Sequence, residues 1–446
     1  MSTGERVRRR ERALAAACER GLVGERAPLA AFVDLRGIAE TAEQLRSAFA
    51  GFGAVQHTVA VKAGGLVPLL RLLDSFGIGA EVASPGELAV ARAAGVAPER
   101  TVFDSPAKTA GELRDALASG VAVNADNEQE LHRLDELAGT ELAPPEPGAP
   151  GVPVLGIRVN PQIGSGGIGA TSTATDHSKF GIGLRDAGNR ERLVELIARR
   201  PRITRLHVHV GSQGCPLELL VQGVAAVVEL ATEVERRVGH QQITSLDIGG
   251  GLPVNFDDDE VRPTFAEYAR MLADVPGLDR YELVTEFGRS LLAKNGFLVS
   301  TVEYSKTTGG RPIAVTHAGA QVAARTAMQP EHWPLRLGAF DRGGRPKSGP
   351  EVEQDVAGPC CFAGDLLAER RALPELEPGD VVAAYDTGAY YFSAHYAYNS
   401  LLRPAVHGFA DSGQGVEFSS IREQQTVDEL VRESGGDRAD ALRDLL

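Results

Sequence analysis

Residues His57 to Gly65 read HTVAVKAGG. Apolar side chains alternate at period two through Val59 and Val61, and Lys62 follows just before two glycines. The pattern predicts a strand carrying an amine at its end. An amine walled by Val59, Val61 and Ala63 is expected to be partly desolvated, which favours the free base able to attack an aldehyde. The plainer reading is a strand-end lysine paired with a nearby carboxylate. Lysine is scarce, confined to Lys62, Lys108, Lys179, Lys294, Lys306 and Lys347 against a large arginine excess. Only lysine forms an imine, so its retention at a strand end favours Schiff-base chemistry.

Outward from this stretch, short apolar runs alternate with amphipathic segments from Pro28 onward. Strands are expected over Leu29 to Asp34, Thr58 to Ala63, Ala80 to Ser84, Thr101 to Asp104, Val121 to Asn124, Val152 to Asn160, Arg205 to Gly211, Ser245 to Gly249 and Tyr281 to Glu286. Helices are expected over Ile38 to Ala50, Leu66 to Phe76, Glu87 to Ala94 and Leu217 to Arg237. Such alternation means an α/β fold with a parallel sheet. Nine strands are one more than a (β/α)8 barrel needs, which leaves the first free to pair elsewhere. A doubly wound sheet is the rival, but chemically suggestive residues end many strands rather than gathering at one switch point, and this favours the barrel.

The Pro-rich stretch Ala143 to Pro153 reads as a surface loop. After Gly296 the runs GFLVSTVEYSK, PIAVTHAG, PLRLGAF, DVVAAYDTGAY and GVEFSSI predict a mostly antiparallel β domain. The expected organisation is a partly helical arm over 1–27, a barrel over 28–295, and a β domain over 296–446 with an exposed helical tail from Val427.

A chain of 446 residues has room for such a barrel and a second core. Its formal charge of -14 argues against nucleic acid or an anionic membrane as partner and fits a small charged metabolite. No apolar run reaches membrane-spanning length. Four cysteines are too few for a disulfide scaffold, and the arginine-rich start lacks a signal-like apolar core; a cytoplasmic protein with reduced thiols is expected.

Several stretches can carry chemistry. Gly249, Gly250 and Gly251 close the strand SLDI, where bare backbone N–H groups can approach a phosphate. YELVTEFGR ends a strand with Glu286, suited to hold a proton on a heterocyclic nitrogen, and adds Arg289, suited to an anion; a salt bridge between them is the bland alternative. RLHVHVGSQG sets His207 and His209 on one expected strand face, yet ligand spacing for zinc is lacking, and no metal is expected. GPCCFAGD places two thiols ahead of DLLAERRAL, read as a helix whose N-terminus favours thiolate; buried packing is the alternative. GAYYFSAHYAYNS offers tyrosines for packing or a polar clamp.

Taken together, these stretches resemble the fold type III pyridoxal-phosphate decarboxylases, the group containing diaminopimelate, ornithine and biosynthetic arginine decarboxylases. VKA, EVASPGEL, SKFGIGL, HVGSQ, IGGG, EFGR in place of the family's EPGR, GPCC and GAY occur in the family's order between Pro28 and Pro404. The resemblance implies an alanine-racemase-like (β/α)8 barrel followed by a β domain whose strands are partly led in by the N-terminal segment. It also implies a homodimer with shared active sites and an amino-acid substrate. Lys62 becomes the lysine that carries pyridoxal 5'-phosphate as an aldimine. His209 would stack on the ring, Ser212, Gly249, Gly250, Gly251 and Tyr390 would surround the phosphate, and Glu286 would keep the pyridine nitrogen protonated. Arg158 lies on a strand whose family counterpart lines the cofactor site. Cys361 would be the acid that reprotonates the α-carbon across the dimer interface, leaving Cys360 as packing.

Substrate-recognising positions diverge. The family's diaminopimelate enzymes use an arginine, a tyrosine four residues later and a glutamate after the catalytic cysteine; here these align with Arg325, Gln329 and Phe362. Two of the three are lost, which disfavours diaminopimelate; Arg325, with Trp333 or Arg336 nearby, points instead to another polar or anionic distal group, such as that of a conjugated amino acid of specialised metabolism, with diaminopimelate as the alternative. Glu81 for the family's Asp, and Phe287 for its Pro, mark a divergent branch. The rivals are a racemase of related fold, disfavoured by Glu286, a non-catalytic regulatory homologue, disfavoured by retention of Lys62, His209, Glu286 and Cys361, and a small cofactor-homeostasis protein, disfavoured by the β domain.

Overall fold

The computed structural model describes residues 3–140 and 152–443, so the loop expected over Ala143 to Pro153 lies outside the described residues except for its last two positions. The chain divides into two units, one of Ile38–Asn255 and Val261–Leu292, the other of Met1–Gly37, Phe256–Glu260 and Ala293–Leu446.

The first unit is built on strands β2 (Val55–Ala60), β3 (Gly79–Val82), β4 (Thr101–Asp104), β5 (Ala122–Ala125), β6 (Leu155–Asn160), β8 (Ile203–His207), β9 (Ser245–Asp247) and β10 (Glu282–Phe287). A two-residue β7 (Ile182–Gly183) pairs with the end of β6. All eight neighbours are parallel, and β5 pairs with β6 to close a barrel. Helices cover the outside because buried parallel strands need both faces sheltered. The longest, Leu217–Val238, turns Leu220, Val224, Val227 and Ala231 inward and ends on Gly239 at φ 80. Phe287, the departure from Pro, packs its ring 5.1 Å from Phe265 and 6.1 Å from Phe49.

The second unit holds β1 (Leu29–Asp34), β11 (Gly296–Thr308), β12 (Arg311–Thr316), β13 (Leu337–Phe340), β14 (Glu351–Ala357), β15 (Leu366–Pro374), β16 (Val381–Ala384), β17 (Ala405–Asp411) and β18 (Val416–Arg422). The path β15-β14-β12-β11-β1-β17-β18 is mostly antiparallel. Strand β1 pairs with β11 and β17, so Leu29–Asp34 belongs to this sheet rather than to the barrel span drawn from residue 28. Its six residues are all buried, as a central strand requires. Helix α1 (Thr3–Glu19) lays Ala13, Leu14 and Ala17 on the core of Phe32, Phe297, Val299 and Phe409. Burying each such aromatic is worth about 1.5–3 kcal/mol. Arg9 of α1, 1% exposed, pairs with Asp34 at 2.8 Å.

Two local expectations change. DLLAERRAL is strand β15, not a helix: it pairs antiparallel with β14, with a register shift that breaks the clean period-two pattern. In the tail, the helix is Val427–Glu433, followed by a 3-10 turn over Gly436–Arg438, with no buried residue in either.

Candidate active site

In the barrel unit, chemistry gathers at the C-terminal strand ends, where successive strands bring polar residues inward. Strand β2 stops at Ala60, and Lys62 sits on the single helical turn Val61–Gly64. Val61 and Ala63 are buried as expected, but the lysine side chain keeps 47% exposure and its Nζ lies 2.7 Å from Oε2 of the buried Glu81 on β3. A carboxylate, rather than an apolar wall, positions the amine. Burial pushes the Glu81 carboxyl up, against the opposing charge of Lys62.

Strand β8 stops at His207, so the two histidines do not share a strand face. His207 is fully buried, with Nδ1 3.5 Å from Asp104 Oδ2 and Nε2 3.6 Å from Glu286 Oε2. The same Asp104 oxygen receives Arg158 Nη1 at 3.0 Å, and the Arg158 guanidinium lies 4.4 Å over the Phe180 ring. Asp104, His207 and Glu286 come within 4.8 Å of one another, and the Arg158 cation balances their acidity. His209, beyond the strand, accepts a hydrogen bond at Nδ1 from the Gly250 N–H at 3.1 Å. Burial, then the charges of Arg158 and Lys62, holds its imidazole well below the usual histidine range, hence neutral.

The glycine triplet follows β9. Gly249 and Gly251 have φ of 64 and 93, and a Cβ at Gly250 or Gly251 would lie 2.2 Å or 2.1 Å from the carbonyl of Glu286 or Gly211. Only glycine fits this loop. Its partly exposed neighbour Ser212 donates its N–H to Thr171 O. Below the loop, Asn124 donates to Asp247 at 3.0 Å across the barrel, both fully buried. Burial and the nearby Glu286 push the Asp247 carboxyl up to about 8. Burial, then Glu81 and Asp104, likewise push Glu286 up to about 8, and its Oε1 is buried without a hydrogen-bond partner. Arg289 is buried at the head of the short helix Arg289–Leu292.

In the second unit, Arg325 stands exposed with its guanidinium 4.6 Å from the Tyr390 ring and 5.0 Å from Trp333. Tyr390 itself has φ 69, an uncommon conformation for a tyrosine. Arg336 is instead bound to Asp386 and Asp259. Cys361 is exposed and its N–H donates to Asn399 at 2.8 Å, while Cys360 is buried. With β15 in place of a helix, DLLAERRAL presents no helix N-terminus to these thiols; burial and Asp365 push Cys360 up to about 11, outweighing the backbone N–H groups of Gln321 and Ala320 at the start of helix Ala320–Met328. Asp365 accepts from the N–H groups of Ala320 and Cys360, both at 2.5 Å. Phe362 packs edge-to-face on Tyr398 at 5.3 Å.

The structure therefore brings together Lys62, Arg158, His209, the glycine triplet and Glu286 in one unit, and Arg325 with Tyr390 in the other. Asp104 and Asp247 were read from the sequence only as strand residues; an acid closing a barrel strand is the signal that marks them. A buried carboxylate with one oxygen unbonded, a neutral imidazole beside a glycine cradle and an amine just past a strand end suit a phosphorylated aldehyde with a basic ring nitrogen. They define a barrel enzyme fitted for pyridoxal phosphate.

Residues 35–293 match the family described as pyridoxal-dependent decarboxylase, pyridoxal binding domain. The chain is 30% identical over 408 residues to the diaminopimelate decarboxylase of Methanothermobacter thermautotrophicus, covering 90% of each, and 32% identical over 397 residues to that of Pseudomonas aeruginosa, covering 87% and 88%. The diaminopimelate decarboxylase of Helicobacter pylori complexed with L-lysine superposes with a TM-score of 0.79 at 26% identity, covering 92% of this chain and 97% of that one. The chain belongs to the fold type III pyridoxal-phosphate-dependent decarboxylases. No helix among the described residues is long and apolar enough to cross a membrane.

Proposed function

We propose that this decarboxylase acts on an amino acid whose far end is anionic, with diaminopimelate as the leading substrate. The observation that carries the reading is Arg325, whose charge is displayed between the Tyr390 and Trp333 rings. Aromatic faces steady a guanidinium without neutralising it, which keeps it available to a carboxylate. The curated relatives named diaminopimelate decarboxylase support the same substrate. A second reading, a conjugated amino acid, draws on Phe362 and Gln329, which replace polar recognition groups by a ring packed on Tyr398 and a neutral amide.

Lys62 supplies the amine that holds the cofactor aldehyde. Glu286 holds a proton at the ring nitrogen, and His209 offers the ring a neutral surface. The Gly249 to Gly251 loop, through the Gly251 N–H, and the Ser212 hydroxyl are offered to the phosphate, with Tyr390, while Arg289 is a further anion-binding group for cofactor or substrate. Bound there, pyridoxal phosphate supplies an electron sink for the pair left on the α-carbon when carbon dioxide departs. Cys361 then returns a proton from Sγ to that carbon. The enzyme works as a cytoplasmic homodimer with shared active sites.

The test compares kcat/KM for diaminopimelate and for conjugated amino acids in the parent protein and in Arg325→Ala. Loss of one charged contact should raise KM for the anionic substrate by about tenfold or more. An unchanged KM would remove Arg325 from substrate recognition.

A further inference from the structure

Asn399 lies in the tyrosine-rich stretch after Tyr390 and has no place in the mechanism above. Its side-chain Oδ1 accepts the backbone N–H of Cys361 at 2.8 Å. That cysteine is the middle residue of a three-residue turn, in which the Phe362 N–H donates to Cys360 O at 2.8 Å. The turn is pinned on both sides. Before it, the Cys360 N–H meets the buried Asp365 at 2.5 Å and the Cys360 thiol faces Gln321 Oε1 at 3.6 Å; after it, the Phe362 ring packs on Tyr398, the residue next to Asn399. The Cys361 thiol itself is exposed, so its aim follows from the backbone that carries it, a single side-chain torsion away. We propose that Asn399 is a positioning residue that, through the Cys361 N–H, aims the Cys361 thiol at the α-carbon of the substrate. The inference rests on the assignment of Cys361 as the proton donor.

The loop around Asn399 is shaped for this contact. Leu401 donates its N–H to Tyr398 O at 3.2 Å, closing a turn whose central residues, Asn399 and Ser400, both have φ 53. Turns of this hand favour Gly, Asn and Asp, and of these only Asn and Asp also carry a side-chain acceptor. Tyr396 donates its N–H to Gln321 O at 2.9 Å, and the Tyr396 and Tyr398 rings stack at 5.7 Å, so this turn and the thiol loop share supports. The chemistry needs such an aim. When carbon dioxide leaves, the electron pair left on the α-carbon takes the proton of Cys361 Sγ, and the thiolate recovers one from water. A proton that goes instead to the cofactor's aldehyde carbon leaves the nitrogen with the cofactor, and water then releases an aldehyde in place of the amine. A misaimed thiol therefore shows as aldehyde.

The experiment uses cofactor-loaded full-length protein and two variants: Asn399→Gly keeps the positive φ and removes the acceptor, whereas Asn399→Asp keeps both. Hydrogen exchange read by mass spectrometry on the peptide over Cys360 to Phe362 should be about tenfold faster at one amide in Asn399→Gly and parental in Asn399→Asp, the scale of one lost hydrogen bond. With diaminopimelate, Asn399→Gly should lower kcat and raise the aldehyde share of the product, each by about tenfold, while Asn399→Asp stays near the parent. KM should hold within about threefold, since no substrate contact is removed. Added to Cys361→Ala, Asn399→Gly should change neither kcat nor the product ratio further. Parental exchange in Asn399→Gly, a parental aldehyde share despite faster exchange, or a further loss in the double variant overturns the proposal. Should Asn399→Gly fail to fold, Asn399→Ala decides by the same readouts. Failure of the underlying reading looks different: Cys361→Ala alone would then leave kcat and the product ratio where they were.

Discussion

Lys62 Nζ sits 2.7 Å from Glu81 Oε2, a half-exposed amine tethered to an acid that is 1% exposed. The acid is one carbon longer than the Asp expected from the resemblance, and it holds the lysine on a one-turn helix whose N-cap, Ala60, gives no side-chain bond. Glu81→Ala should leave the amine untethered and weaken retention of pyridoxal phosphate by about fivefold, the upper scale of a single partly exposed ion pair. Equilibrium dialysis of the loaded protein measures it; undiminished retention would mean the pair does not organise the site.

Asp247 and Glu286 give the cofactor-free protein a pH signature. Both carboxyls are pushed up to about 8 when folded, chiefly by burial, whereas unfolded they titrate near about 4. At these two carboxyls the folded state therefore binds more protons across that window, and their contribution to stability falls as pH rises from about 4 through about 8, with the lowered His57 and His209 opposing it below about 6.5. The depressed Asp104 acts in the opposite sense, contributing stability above its unfolded pKa of about 4 that is lost only in more acidic solution. Thermal melts of cofactor-free protein should drop between mildly acidic and alkaline buffer, and Asp247→Asn should flatten the slope. A melting temperature that rises across the window would contradict the burial of these acids.

Neighbouring thiols should behave differently. Cys361 is exposed, whereas Cys360 and Cys215 are buried and pushed up to about 11 by burial. Brief alkylation followed by peptide mass mapping should mark Cys361 first. Cys361→Ala should slow turnover by about 10²-fold, the typical contribution of a positioned acid, while Cys360→Ala should stay within about threefold. Equal effects of the two would assign the proton donor elsewhere.

The barrel was legible because its strands carry long-range order in local signals. Thr101 to Asp104 and the long helix from Leu217 were readable within a residue or so, as was Leu29 to Asp34 of the second sheet, since apolar runs and Pro or Gly boundaries mark them. Strand ends at the site were not: β2 and β8 stop before Lys62 and His209, where the backbone turns to present side chains rather than to continue pairing. DLLAERRAL misled because its register shift, with Arg370 at φ 50, places polar residues in consecutive pairs that look helical. Asp104 and Asp247 were hidden because their meaning comes from residues on other strands, His207, Arg158 and Asn124, which no spacing in the sequence brings together.

The proposed sharing of active sites in a homodimer has a direct consequence. Lys62→Ala and Cys361→Ala proteins should each be nearly inactive, yet subunits mixed, unfolded together and refolded should regain about a quarter of parental activity, because half the dimers hold one intact site of two. Activity that stays at the level of the separate variants would place both residues in a site built by one subunit.

The most direct measurement is mass spectrometry of diaminopimelate incubated with cofactor-loaded protein. The account predicts a product lighter by one carbon dioxide, absent with Lys62→Ala and strongly slowed with Glu286→Gln. Carbon dioxide loss that persists at the parental rate in Lys62→Ala, or stereoinversion of the substrate with its carboxylates intact, would contradict it.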